Sequence, residues 1–224
     1  MSTEPTGFLY PFIEAEEHDA TSLVADLAAS ARSKMAASKA LSAATVDRSA
    51  RTLQSAGRQM AERFVQGGRL FAFGNGGSAT DAEGAVELFR NPRTGTPLPA
   101  LSLAEDRAVL TALANDVGFD LVFSRQIIAH ARPLDIAVGF STSGDSVNVI
   151  RAFEEARRRG LLTIGLCGYE GGAMAVSDAV QHCLVVHSDS VHRIQEAQDA
   201  LVFELWDTVQ RCLDQRRSDE GSAS

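Results

Sequence analysis

From position 70 onward, short apolar runs alternate with stretches whose apolar residues recur every three or four positions. The runs at 70–73, 100–103, 135–140, 162–166 and 181–186 read as strands. Segments 78–89, 106–114, 119–130, 146–159, 172–176 and 190–212 carry the helical period. Several of the strands are apolar on both faces, which points to a sheet covered by helices on each side. The alternation therefore predicts an α/β domain with a parallel sheet.

Before position 67 the pattern is helical and rich in Ala. Thr45 is placed to cap a helix in which Val46, Ala50, Leu53, Gly57, Met60 and Phe64 recur at alternating spacings. The small residues at 50 and 57 allow a close helix–helix approach, and Gly67-Gly68 ends the segment. Region 21–66 thus reads as an antiparallel helical pair that packs on its own domain or on another subunit. Residues 1–20 mix Pro5, Gly7 and Pro11 with an acidic run and read as an arm. Residues 215–224 are polar and small and read as a disordered tail. A single domain is expected over 21–214, with its α/β core at 69–214.

Composition narrows the function classes. The chain has 224 residues, of which 45% are hydrophobic and 22% charged, an ordinary globular balance. Net charge is −8, and no basic run exceeds Arg157-Arg158-Arg159. A duplex binder concentrates basic residues on one face, so direct nucleic-acid binding is not expected. Cys167, Cys183 and Cys212 fit neither a zinc knuckle nor a redox pair and read as small buried hydrophobes. The acidic N-terminus has no leader pattern and no apolar run reaches bilayer length, so a soluble, cytoplasmic protein is expected.

Two segments share one design. The strand ending at Phe73 runs into Gly74-Asn75-Gly76-Gly77-Ser78, and the strand ending at Phe140 into Ser141-Thr142-Ser143-Gly144-Asp145-Ser146; a helix follows each. Loops at the carboxyl edge of a parallel sheet are where such folds bind ligands. Each helix start offers free N–H groups and a positive dipole end, and the hydroxyls at 141, 142, 143 and 146 add donors suited to a phosphate. Neither a Walker loop nor a GxGxxG is present. A small phosphorylated ligand is therefore expected rather than a nucleotide. The plainer alternative is a glycine turn and a hydroxyl helix cap.

These loops, with Leu113-Ala114-Asn115-Asp116-Val117-Gly118-Phe119, the continuation Val147-Asn148-Val149-Ile150 and Arg193-Ile194-Gln195-Glu196, make the chain similar to the sugar isomerase (SIS) domain family. Within it, the chain most resembles bacterial sedoheptulose-7-phosphate (phosphoheptose) isomerases. The resemblance runs over roughly residues 25–212. It implies a five-stranded sheet of flavodoxin-like order in a three-layer sandwich, a homotetramer, and sites at subunit boundaries. It further implies that Asn75, Gly76 and Ser78 touch the sugar phosphate and that Ser141, Thr142, Ser143 and Ser146 form the phosphate cradle. Asp116 would face the sugar hydroxyls, and Gln195 would lie at the site.

The proton-transfer half of the family's site departs from this pattern. Moving a proton between C1 and C2 needs a positioned acid and base. In an ungapped comparison, where the isomerases carry a His, a Glu and a second His, which can also bind zinc, this chain has Gly84, Leu88 and Phe203, and a further family His is Gln198. A one-residue gap would put Glu87 at the glutamate position without restoring either His. No cofactor is expected, zinc included. Glu83 and Glu87 share a helix face and are the candidate substitute catalytic groups, although a solvated face or a subunit salt link is the better explanation of them. Glu196 and Glu204 are further carboxylates. His182, His187 and His192 are spaced across a strand and a helix start, which argues against a metal site. Arg193 could reach a phosphate or pair with Asp189 or Glu196. Three functions stay open: a phosphosugar-binding regulator, with or without a protein partner; a divergent ketose–aldose isomerase; and a non-catalytic oligomeric scaffold.

Overall fold

The computed structural model describes residues 20–222. The expected arm at 1–20 lies outside the described residues but for its last position. Two compact units divide the chain, one ending at Ala40 and one beginning at Leu41. In the first, a helical segment exposes Val24, Leu27 and Met35.

That segment belongs to α1 (Ala20–Val65), one continuous helix where a helical pair was expected. The reason is local: no Gly or Pro interrupts the chain between Ala20 and Ala56, and Ala is the best helix former. Thr45 is accordingly not a cap but a buried residue inside the helix. Leu53, Ala56, Met60, Ala61 and Phe64 enter the core, whereas Ala50, expected on that stripe, is exposed. Gly57 lies against α7; a Cβ there would sit 2.6 Å from Thr208 Cγ2.

The rest follows as β1 (Leu70–Gly74), α2 (Gly77–Arg90), β2 (Ala100–Ser102), α3 (Arg107–Val117), a 3₁₀ turn (Phe119–Leu121), α4 (Val122–His130) and β3 (Ile136–Ser141). The chain continues as α5 (Val147–Arg158), β4 (Leu162–Gly168), α6 (Gly172–Val176), β5 (His182–Val186) and α7 (Val191–Ser222). The five strands pair in parallel in the order β2-β1-β3-β4-β5, the doubly wound order expected. Residues 215–222 continue α7 and are not the expected disordered tail. Arg216 of this segment pairs with Glu62 of α1 at 3.9 Å.

Strand alternation splits the core into two layers. Leu70 and Ala72, with Ile136, Val138 and Phe140, pack beneath α1, α2 and α7. Phe71, Phe73, Ala137 and Cys167 face α4, α5 and α6. On that second face, Gly139 and Gly165 are register partners and leave a shallow groove across two strands. Phe153 of α5 drops into it, with its ring centroid 5.2 Å from that of Phe73. A Cβ at Gly139 would meet the Phe153 ring at 2.5 Å and the Phe73 ring at 2.8 Å. At the opposite end of the sheet, buried Asp135 accepts from the backbone N–H groups of Arg69 and Arg132 at 2.8 Å each, and pairs with the Arg69 guanidinium at 3.0 Å.

The groove makes a test of the packing. Gly139→Val should cost about 1–3 kcal/mol by overpacking, read as a lower urea midpoint. Adding Phe153→Leu should recover part of that loss, because it removes the ring the new methyls strike. Additive losses would show that the groove is not the limiting contact.

Candidate functional site

The carboxyl ends of β1 and β3 are neighbours, so the two loops singled out by their glycines and hydroxyls lie side by side. In the first, Gly76 turns the chain with φ 56° and α2 begins one residue later. Gly77 is bare for a second reason: a Cβ there would lie 2.4 Å from Nε2 of Gln195. Gln195 of α7 therefore sits against the glycine loop, and its Nε2 donates to Asp81 Oδ2 at 2.9 Å. Ser78 is buried in the first turn of α2.

In the second loop the hydroxyls converge. Ser141 Oγ lies 2.9 Å from Ser146 Oγ and 3.4 Å from Ser143 Oγ. The Gly144 N–H donates to Ser141 Oγ at 3.1 Å, and the Asp145 N–H to Ser143 Oγ at 3.2 Å. Ser146 precedes α5 at the N-cap position, but its side chain makes no capping bond. Its hydroxyl is turned to Ser141 instead, and the first turn of α5 keeps the donor-rich character of any helix start.

The end of β4 and the segment after it hold this loop from behind. Gly168 N–H donates to Thr142 O at 2.9 Å, Met174 N–H to Gly144 O at 2.9 Å, and Ala173 N–H to Asp145 Oδ1 at 2.8 Å. The two loops are also tied to each other. Asn75 Nδ2 donates to Asn148 Oδ1 at 2.8 Å, and Asn148 Nδ2 donates back to Asn75 Oδ1 at 2.9 Å. Asn148 is 3% exposed, a geometric role that the loop hydroxyls alone did not reveal in the sequence.

Asn75, Gly76, Ser78, Ser141, Thr142, Ser143, Ser146 and Gln195 thus gather at one edge of the sheet. Asp116, near the end of α3, is exposed and accepts from Asn115 Nδ2 at 2.9 Å, with no bond to either loop. Glu83 and Glu87 lie farther along α2; at 1.5 Å per residue, Glu87 is about 15 Å from the helix start. Glu87 accepts from Asn91 Nδ2 at 3.0 Å and lies 3.7 Å from Arg90. Both glutamates line a cleft of about 330 Å³ with Ser102, Glu105 and Arg107. Within one chain they are not brought to the hydroxyl loop. A larger cleft of about 700 Å³, beside edge strand β2, contains none of the expected site residues.

Sequence reasoning passed over two carboxylates near Gln195. Burial raises Asp81 above the ordinary carboxylate range, opposed by the Gln195 hydrogen bond. Asp199, one turn beyond Gln195, is raised by desolvation and by the negative charges of Asp81 and Glu196. Their signal was the spacing of 195 and 199 on one helical face. Burial lowers His182, whose Nε2 lies 3.1 Å from Gln59 Nε2, and His187 lies 3.5 Å from Glu170.

Gly84, Leu88 and Phe203 offer no lone pair to a metal. A Cβ at Gly84 would point into open space, Leu88 packs on the core, and the Phe203 ring lies 5.5 Å from that of Trp206. Among the described residues, no group of three or more His, Cys, Asp or Glu side chains is arranged to hold a metal ion. None of their helices is long and apolar enough to cross a membrane.

The chain's relatives agree with this geometry. A phosphoheptose isomerase of Roseiflexus sp. strain RS-1 is 40% identical over 173 residues, covering 75% of this chain and 86% of that protein. One from Chlorobium phaeovibrioides is 45% identical over 160 residues, covering 70% and 75%. Among solved structures, phosphoheptose isomerase from Neisseria gonorrhoeae superposes with a TM-score of 0.75 at 34% identity, covering 82% of this chain and 98% of that one. The Francisella tularensis enzyme also gives 0.75, at 30% identity and 81% and 97% coverage. The model of the SIS domain matches residues 35–168. With sheet order, paired loops and these matches in agreement, the chain belongs to the SIS domain family.

Proposed function

We propose that the protein binds a phosphorylated sugar of the sedoheptulose 7-phosphate class, with the phosphate seated in the Ser141, Thr142, Ser143 and Ser146 loop. The observation that carries this reading is the Ser146 hydroxyl, turned from its helix to Ser141. The hydroxyls of Ser141, Ser143 and Ser146 then cluster beside the α5 start, the kind of donor set that an anion at a helix start requires. Asn75, fixed by Asn148, presents the first loop beside it. On this reading the protein holds or reports the sugar, because Gly84, Leu88 and Phe203 stand where the family's proton-moving and zinc-binding groups would. Neither zinc nor another cofactor is needed for binding.

Asp81 and Asp199 favour a second reading, a ketose–aldose isomerase with a substitute base. A carboxylate with a raised pKa is a better proton acceptor than an ordinary one. Both flank Gln195, and the relatives named above are isomerases.

Titrating the protein with sedoheptulose 7-phosphate in D₂O separates the two. The expected result is line broadening of the sugar resonances without deuterium uptake at C1. Ser141→Ala with Ser143→Ala should weaken binding at least tenfold, since a hydrogen bond to a charged group contributes about 1.5–3 kcal/mol. Unchanged affinity would remove the cradle. Deuterium uptake that is lost in Asp199→Asn would establish the isomerase instead.

The Asp199 shift also makes a stability prediction. A carboxylate raised in the folded state opposes folding once ionised, and costs nothing below its unfolded value of about 3.9. Asp199→Asn should therefore raise Tm at neutral pH, with the gain fading as pH falls through the raised value. A gain that persists in acid would assign it to packing.

We further propose that subunits assemble into a homotetramer, using the exposed apolar residues Val24, Leu27 and Met35 of α1. Light scattering should give four chains per particle, and Leu27→Glu with Met35→Glu should reduce that number. A wild-type monomer would refute it.

A further inference from the structure

The cysteine spacing carries no redox motif, yet the fold brings two cysteines together. Cys167 lies near the end of β4 and Cys183 near the start of β5, both facing the α5–α6 layer. Their sulfurs are 3.4 Å apart. Cys167 is buried, whereas Cys183 is partly exposed and within reach of a small oxidant.

Cys167 is also built into the frame of the phosphate loop. It is the register partner of Ser141, and the next residue, Gly168, donates to Thr142 O. Its sulfur lies 3.7 Å from where a Cβ of Gly171 would be, in the turn whose amides at 173 and 174 hold Asp145 and Gly144. Moving the end of β4 therefore moves the cradle.

We propose that Cys167 and Cys183 are a peroxide-sensitive dithiol whose oxidation to a disulfide displaces the end of β4 and weakens phosphate binding. The Cys183 thiolate attacks one oxygen of hydrogen peroxide, the O–O bond breaks, and hydroxide leaves as water after taking a proton. Cys183 is then a sulfenic acid. The Cys167 sulfur attacks the Cys183 sulfur, the S–O bond breaks, and the departing hydroxide takes the Cys167 proton. Two thiols and one peroxide give one disulfide and two waters. The polarity of the pair suits these roles. The hydrogen bond between the sulfurs lowers the Cys183 thiol and raises buried Cys167, so the exposed partner is the nucleophile.

Closing the bond requires movement. Cys183 pairs in register with Gly165, two residues before Cys167. A strand spacing of about 4.8 Å and a rise of about 3.3 Å per residue put the two Cα atoms about 8 Å apart. An unstrained disulfide spans roughly 4.4–6.8 Å, so β4 and β5 must slide or approach. A bridge made this way is readily reduced, as befits a reversible device.

The test uses the purified full chain, treated with hydrogen peroxide, weighed intact and then alkylated. The expected product is about 2 Da lighter, alkylates at Cys212 alone, carries a Cys167–Cys183 cross-linked peptide, and reverts with dithiothreitol. Cys183→Ser and Cys183→Ala should form no link, while Cys212→Ser should behave as wild type. The binding arm rests on the cradle reading: the oxidised protein should bind sedoheptulose 7-phosphate at least ~10-fold more weakly than the reduced one, the scale of one lost charged hydrogen bond. If both thiols still alkylate after peroxide, the dithiol proposal fails. A disulfide with unchanged affinity would overturn its coupling to the cradle. If the reduced protein fails to bind the sugar, the cradle reading and its coupling to the thiols fail, while the mass still decides the disulfide.

Discussion

β1 and β3 run side by side in the same direction, and the chain leaves them toward opposite faces of the sheet. After β1 it forms α2, which packs in the layer with α1 and α7; after β3 it forms α5, in the layer with α4 and α6. Between two such departures a parallel sheet opens at its carboxyl edge, the place where folds of this order bind ligands. The reciprocal Asn75–Asn148 amide pair spans that opening. Each of its bonds contributes about 0.5–1.5 kcal/mol net, but breaking either strands a buried amide, which costs about 1–3 kcal/mol. The spacing of the loops is therefore fixed before any ligand arrives.

The hydroxyl loop is held as firmly from the other side. Gly144 has φ 75°, and a Cβ there would lie 2.0 Å from the Gly171 carbonyl oxygen. Both groups are backbone, so no rotamer change can relieve the clash. Only glycine permits the two turns to touch, and that contact lets the amides at 173 and 174 bond the Gly144–Asp145 corner. A cradle fixed this way loses little conformational entropy on binding, which is the main gain from preorganisation. The same contacts join the end of β4 to this corner of the loop.

Much of this was legible in the chain. The five strands were found within two residues at each end because their apolar runs are short and bounded by glycines or polar turns. The two loops were recognisable because a glycine or hydroxyl cluster falls between a strand pattern and a helix pattern. Tertiary relations were less legible. Thr45 has the residue type of a cap, but nothing beside it breaks the helix, so propensity prevailed and α1 runs through it. The 215–222 segment looks like a tail, yet it continues the last helix, and its Arg216 finds Glu62 on α1. Cys167 and Cys183 are sixteen positions apart, a separation with no local meaning. Only the register of β4 and β5 makes them adjacent.

On the proposed reading, the groups that would hold a phosphate and the positions that would move a proton stand on different elements. The hydroxyl loop belongs to β3, the α5 start and the turn that holds it. Positions 84, 88 and 203, where that reading places replaced groups, belong to α2 and α7. Gly84 leaves open space, and Phe203 is 51% exposed against Trp206, so neither change disturbs the packing beneath. Contacts to a phosphate remote from the reacting carbons are made equally in ground and transition states, and give affinity without rate. A chain of this architecture can therefore keep its sugar while giving up its reaction. Asp81, Gln195 and Asp199 meet at the α2–α7 seam beside the glycine loop, and the two proposed readings differ in what that seam would do. There, a proton on or off one partly desolvated carboxylate changes the repulsion between two helices, so on the isomerase reading chemistry and stability at that seam would titrate together.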